Sequence, residues 1–224
     1  SKVFMFKKLF SKKKKSEKEV ETIELTEEQL ERDWYDQKSK KMECVLGKEH
    51  DMVMHAIIPY EIGGGLDLYY YPNDILGTGI ATKELSHSCR DGSSNDRYEK
   101  YELVMFTKHE ISLDDSSNQD VAFGKAHQNI NSILNPVARY SEQANLKNND
   151  TLEFPHDFDG VGGKCLIFSD YSPDFSEDFG LMAVIEVYRS EMEFARDNGC
   201  EKLIKKLKKS GHYPYSDLER QAVI

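Results

Sequence analysis

The stretch LMAVIEVYRSEMEFARDNGCEKLIKKLKKSGHYPYSDLERQAVI, Leu181–Ile224, is where the fold is most legible. Leu181–Tyr188 is apolar at nearly every position, the pattern of a strand buried on both faces rather than one that alternates between core and water. Ser190-Glu191-Met192-Glu193 has the S-x-x-E form of a capping box, and Gly199 supplies the left-handed conformation that ends a helix. Lys202–Lys209 then places Leu203, Ile204 and Leu207 on one face and stops at Gly211. A central strand followed directly by two amphipathic helices needs a sheet with helices laid over it.

Upstream elements extend this layout. Thr26-Glu27-Glu28-Gln29 reads as another capping box, with Leu25 and Leu30 placed as a hydrophobic staple. Leu30, Trp34, Met42, Val45 and Leu46 continue at near-helical spacing to Gly47, which predicts a helix over 27–46. Strands are expected over Met52–Tyr60, Leu66–Tyr71, Ile80–Leu85 and Tyr101–Lys108, with a polar loop at Ser86–Arg97. Asp120–Leu134 shows helical periodicity, and Asn135-Pro136 is expected to cap it and start a new helix. Leu152–Phe154 and Cys165–Phe168 complete the strands. No repeat or low-complexity linker divides 25–224, so the expectation is one α+β domain with a central mixed, mostly antiparallel sheet flanked by helices.

Residues 1–24 differ in composition. Eight Lys against one Glu in residues 1–18 leave 22 basic and 39 acidic residues in 19–224, a net charge of −17 against −10 for the whole chain. Such an acidic body argues against binding nucleic acid, whose phosphates need Lys and Arg. It suits a basic protein partner, whose encounter it would accelerate. The segment VFMFKKLFSKKKK, 3–15, reads either as a solvated tail or as a basic amphipathic segment on an anionic membrane. No run of apolar residues is long enough to span a bilayer, and no secretory signal is evident. Cys44, Cys89, Cys165 and Cys200 have no C-x-x-C spacing, so reduced thiols in a cytoplasm are expected.

A search for chemistry finds little. His50 and His55 lack zinc-helix spacing, and His87-Ser88-Cys89 has no second pair of ligands. Gly160-Val161-Gly162-Gly163-Lys164 has Phe158 and Cys165 where a phosphate loop needs Gly and Ser or Thr, and it reads as a hairpin turn. Gly63-Gly64-Gly65 precedes a strand rather than a helix. A magnesium-dependent nuclease or phosphoesterase is the enzyme alternative, using Asp67, Glu102 or Glu186; a pairing of Glu186 with Arg139, Arg189 or a similar residue is the architectural reading. No catalytic set, metal or cofactor is expected.

The segment FPHDFDGVGGKCLIFSDYSPDFSEDF, 154–179, holds six acids against one Lys, interleaved with aromatics. Asp157, Phe158, Asp159, Asp170, Tyr171, Asp174, Phe175, Glu177 and Asp178 are therefore the candidate partner-binding residues. Aromatics supply contact area and acids steer a cationic partner. The competing reading turns the aromatics inward as core.

With these elements placed, the chain resembles the Suppressor of fused family. The features that carry the resemblance are Val184–Tyr188, Ser190–Glu193, Leu203–Leu207 and Asp217–Arg220, preceded in order by LDLYYYP (66–72), ATKELS (81–86), YELVMF (101–106) and ARYSEQAN (138–145). Ser86-His87-Ser88 departs from the Ser-Asp of many relatives. The resemblance implies a non-catalytic binding role. Eukaryotic relatives grip an extended peptide between two domains, and this chain resembles only the first, so that clamp is not expected. Bacterial members resemble immunity proteins that neutralise toxins, and a basic toxin is the partner this implies. A membrane-tethered adaptor, held by 3–15, is the remaining alternative.

Overall fold

In the expected order, apolar strands assemble one sheet and amphipathic helices cover both of its faces. The computed structural model describes residues 25–172 and 174–224; the basic tail and its membrane reading lie outside them. Helix α1 (Glu27–Leu46) is followed by strands β1 (Val53–Met54), β2 (Leu68–Tyr71), β3 (Thr78–Ala81) and β4 (Tyr101–Thr107). Then come α2 (Ala122–Ser141), β5 (Thr151–Glu153), β6 (Cys165–Asp170), β7 (Gly180–Val187), α3 (Arg189–Asn198) and α4 (Cys200–Lys209).

The sheet has seven strands in the order β1-β2-β3-β4-β7-β6-β5. Each pairing is antiparallel except β4 with β7, which run parallel from Tyr101↔Gly180 to Val104↔Ala183. Two antiparallel halves are thus joined along their most apolar strands, and β4 and β7 are buried at every position.

Period-two alternation sorts the side chains into two cores. Leu103 and Met105 of β4 join Met182 and Val184 of β7 under α2, whose Ile130, Ile133, Leu134 and Val137 face them. Val104, Phe106, Leu181, Ala183 and Ile185 point the other way, towards Met42 of α1, Met192 of α3 and Leu203 and Leu207 of α4. The result is three layers: one helix, the sheet, three helices.

Local chemistry explains most boundaries. Thr26 caps α1 as expected: its hydroxyl accepts from Gln29 N–H at 3.2 Å, and the Gln29 side chain accepts from Thr26 N–H at 2.9 Å. The expected cap at Ser190 is displaced. Helix α3 already begins at Arg189, and Glu191 accepts from Tyr188 N–H at 3.0 Å, so Glu191 rather than Glu193 closes the first turn. Nor does α2 break at Pro136. The missing N–H costs an isolated helix about 3 kcal/mol, but the continuous apolar face from Phe123 to Ala138 is buried against the sheet and holds the helix together. The expected Met52–Tyr60 strand contracts to two residues, because Ile57–Gly65 folds into a turn instead. Strand β3 begins two residues earlier than expected and ends at Ala81, after which the backbone wraps around a buried carboxylate.

Candidate protein-binding surfaces

The acidic aromatic segment 154–179 is divided by β6 into two loops. Residues 154–164 enter the strand and 171–179 leave it; six residues of strand separate the two ends by about 20 Å. Asp157, Phe158 and Asp159 are exposed at the first end, Phe158 resting its ring 5.6 Å from that of the buried Phe154. Asp174, Glu177 and Asp178 are exposed at the other. Sequence proximity therefore does not make one patch.

Several candidates serve the fold as well. Asp170 accepts hydrogen bonds from the Tyr98 hydroxyl at 2.7 Å and Ser172 N–H at 3.0 Å, and it pairs with Arg97 at 3.0 Å. Tyr171 lays its ring 4.7 Å from that of Phe106, and burial pushes its hydroxyl up to about 12. Phe175 is half-buried against both cores, 6.2 Å from Phe179. Asp178 pairs with Lys41 of α1 at 2.7 Å. Phe168 and Phe179 are fully buried core residues.

The interior carboxylates are spent on architecture. Glu102 meets Lys38 at 3.3 Å, and both are buried. Glu186 accepts from Lys164 at 2.9 Å and from Asn129 at 2.6 Å. Its partner is thus Lys164 and neither expected arginine: Arg139 donates to the carbonyls of Tyr60 and Gly64, and Arg189 pairs with Glu153 at 2.6 Å. Asp67 meets His55 at 2.6 Å and Ala56 N–H at 2.9 Å. His87 faces Glu31 at 3.4 Å, and the Cys89 sulfur takes a contact from the Ser88 hydroxyl. Among the described residues, no three His, Cys, Asp or Glu side chains stand where they could share a metal ion.

Two features escaped sequence reasoning. A cleft of about 260 Å³ lies between α2 and the C-terminal segment, lined by His109, Lys125, Asn129, Lys164, Glu186 and Asp217. Lys125 closes across it onto Glu219 at 3.1 Å. The second is an apolar turn. Ile57, Ile58 and Ile62 are 102%, 55% and 76% exposed, on a loop fixed by hydrogen bonds from Gly64 N–H to Pro59 O and from Gly65 N–H to Ile58 O. A Cβ at Gly64 would stand 1.8 Å from Ile58 O, so the turn admits only glycine there. The Arg139 guanidinium sits 3.4 Å from the centre of the Tyr60 ring and pins the loop to α2. The mostly apolar run Val53–Ile58 reads as strand, so only the Gly63–Gly65 end of the turn was expected from the sequence.

A three-layer α+β domain with paired interior charges and acids spread over its exposed helices and loops defines a scaffold class rather than a particular chemistry. Residues 81–221 match the family model described as Suppressor of fused protein, and the chain belongs to that family. A chain from the Sufu–Fu complex crystal structure is similar over 87% of this chain and 92% of its own length, with a TM-score of 0.55 and 15% identity; this likeness is one of fold. A structure of Drosophila Suppressor of Fused gives a TM-score of 0.44 at 17% identity over 68% of this chain, which spans 41% of that one. No curated protein matches the chain. Among the described residues no helix is long and apolar enough to cross a membrane.

Proposed function

We propose that this chain is a non-catalytic, cytoplasmic protein-binding domain that sequesters a cationic protein, as a bacterial immunity protein sequesters a toxin. One observation carries the reading. Residues 25–224 hold 22 basic and 36 acidic side chains, a net charge of −14, and the buried carboxylates Glu102, Glu186 and Glu191 are matched by Lys38, Lys164 and Arg220. The excess acid therefore faces outward, where it attracts a basic partner over about one Debye length, ~10 Å at 0.1 M salt. A chain of similar fold was solved in a Sufu–Fu complex, which fits a family that works by holding other proteins.

The experiment is affinity capture from native lysate at low and moderate salt, followed by association kinetics with the captured partner. Asp157→Lys/Asp159→Lys and Asp174→Lys/Glu177→Lys are made separately, because the two loops lie at opposite ends of β6. One pair should slow association about tenfold, with the effect shrinking as salt rises, while the other leaves it unchanged. Recovery of no partner at either salt, or of a neutral partner whose on-rate neither pair alters, refutes the reading.

A further inference from the structure

Helix α4 reverses the sign of the surface around it. Lys202, Lys205, Lys206, Lys208 and Lys209 are exposed along it against one acid, Glu201, while Leu203 and Leu207 are buried in the core. Residues 25–224 sum to −14, so this one helix, at +4, sits on a remainder of −18. Among the described residues no carboxylate pairs with any of the five lysines. Lys206 and Lys208 lie over the Phe194 and Tyr213 rings, at 5.4 and 4.6 Å. Folding alone does not account for the set. The helix dipole favours Lys206, Lys208 and Lys209 in the last turn, but Lys202 stands in the first, where a cation is disfavoured. Lys202 and Lys206, and likewise Lys205 and Lys209, repel each other at four-residue steps.

The opposite charge stands on the same face of the sheet. Helices α1, α3 and α4 pack on that face through Met42, Met192, Leu203 and Leu207. Lys38 of α1 points inward, which leaves the outer side of that helix with six acids against Arg32, Lys40 and Lys41. Two of those cations are already taken, Arg32 by Glu28 and Lys41 by Asp178. Asp33 and Asp36 are exposed one turn apart, and neither takes part in an ion pair among the described residues. Two patches of opposite sign on one face are self-complementary under a two-fold axis running between them. Rotation about such an axis lays α4 of each copy on α1 of the other, so the contact forms twice.

We propose that the outer sides of α1 and α4 form an isologous interface through which the chain pairs with a second copy of itself. Exposed ion pairs contribute little singly, so the pairing is weak and lost in salt. Other anions fit the lysine face less well. The lysines span about 11 Å along α4, and a nucleic acid reaching past them would run onto acidic surface. An anionic membrane finds nothing to take up, because the apolar stripe of α4 belongs to the core. The interface is separate from the acidic loops at the ends of β6, and it needs no foreign partner.

The test is sedimentation equilibrium of the full chain up to about millimolar concentration, at ~25 mM and ~0.5 M salt. Chains of net charge −10 repel more strongly as salt is removed, so pairing that tightens at low salt marks opposed patches. Lys205→Glu/Lys209→Glu and Asp33→Lys/Asp36→Lys should each weaken pairing at least tenfold. Mixed together, the two variants should pair as tightly as the parent, because one of the two contacts is then reversed in sign and the other native. A parent chain that stays monomeric at low salt overturns the proposal, whether or not its lysine face binds an oligonucleotide or phosphatidylglycerol vesicles. Pairing that either variant retains overturns it too, by placing the contact on another surface. So does a mixture that fails to pair.

Discussion

Lys38 reaches from the middle of α1 to Glu102 near the start of β4, and neither side chain touches water: they are 1% and 0% exposed. The ammonium also donates to the carbonyls of Lys83 and Ser86, the latter at 2.8 Å. The carboxylate accepts from the Thr82 hydroxyl at 2.7 Å, the Ser86 hydroxyl at 2.7 Å and the N–H groups of Leu85 and Ser86 at 3.2 and 3.0 Å. One carboxylate thus organises the 82–86 turn and docks α1. Removing only the lysine strands a buried charge, so Lys38→Met should cost about 3–5 kcal/mol. Lys38→Met/Glu102→Gln should recover a part of that. Urea unfolding of both variants checks it, and equal losses in the two would contradict the pairing.

A second buried pair fixes the C-terminus. Arg220 donates to Glu191 through two N–H groups, at 2.6 and 2.8 Å, and Val223 N–H adds a third contact at 2.9 Å. Burial alone would raise the Glu191 carboxyl, but Arg220, Val223 and Tyr188 outweigh it and hold the group below its ordinary value. A carboxyl depressed in the folded state contributes stability that is fully present above its unfolded value, about 4.3, and lost as pH falls through the folded one. Acid titration of stability should therefore steepen below about pH 4, and Glu191→Gln should flatten that limb. Hydrogen exchange at Val223 should rise in the same variant.

Glu84 has the opposite sign. Burial, followed by the neighbouring carboxylates Asp67, Glu102 and Glu61, pushes it up to about 7 in spite of the hydrogen bond from Asp67 N–H. Its stabilising contribution is present below the ordinary carboxylate value and lost as pH rises through about 7. Thermal midpoints at pH 5 and pH 8 should differ less in Glu84→Gln than in the parent chain, with the variant gaining at pH 8. No change in that difference would show that Glu84 is not the titrating group.

Pro136 interrupts no helix but leaves the Ser132 carbonyl without its usual partner four residues on. Replacing it by alanine restores the N–H and removes the ring, and should stabilise the chain by about 1–3 kcal/mol. The urea midpoint should rise at constant slope.

Lys38 also shows where the sequence was silent. The stripe of α1 that faces the sheet runs Trp34, Lys38, Met42, Leu46 at four-residue steps, with Trp34 half-buried and the other three buried. A lysine in that register reads as solvent-facing until its acceptor, 64 positions away, is known. Strands β4, β6 and β7 and helices α1 and α4 were legible because each carries its own period and its own stop. Pro136 and the Ile57–Gly65 turn were not, since tertiary packing overrides local preference at the first and backbone hydrogen bonds set the shape of the second. The acidic loops were legible as composition but not as a place. A run of 26 residues says nothing of the strand that divides it until the pairing of β6 with β7 is seen.

The parallel seam between β4 and β7 bears on how the chain is made. Tyr101 and Gly180 are partners, yet 79 positions separate them. β1–β4 is synthesised before β7, and a half-sheet formed without β7 would offer β4 as a seven-residue edge that the finished sheet buries at every position. Such an edge is a template for foreign strands. The nascent half-sheet is therefore a natural client for a holding chaperone, and a synonymous change that slows translation between β4 and β7 should lower soluble yield without altering the finished protein.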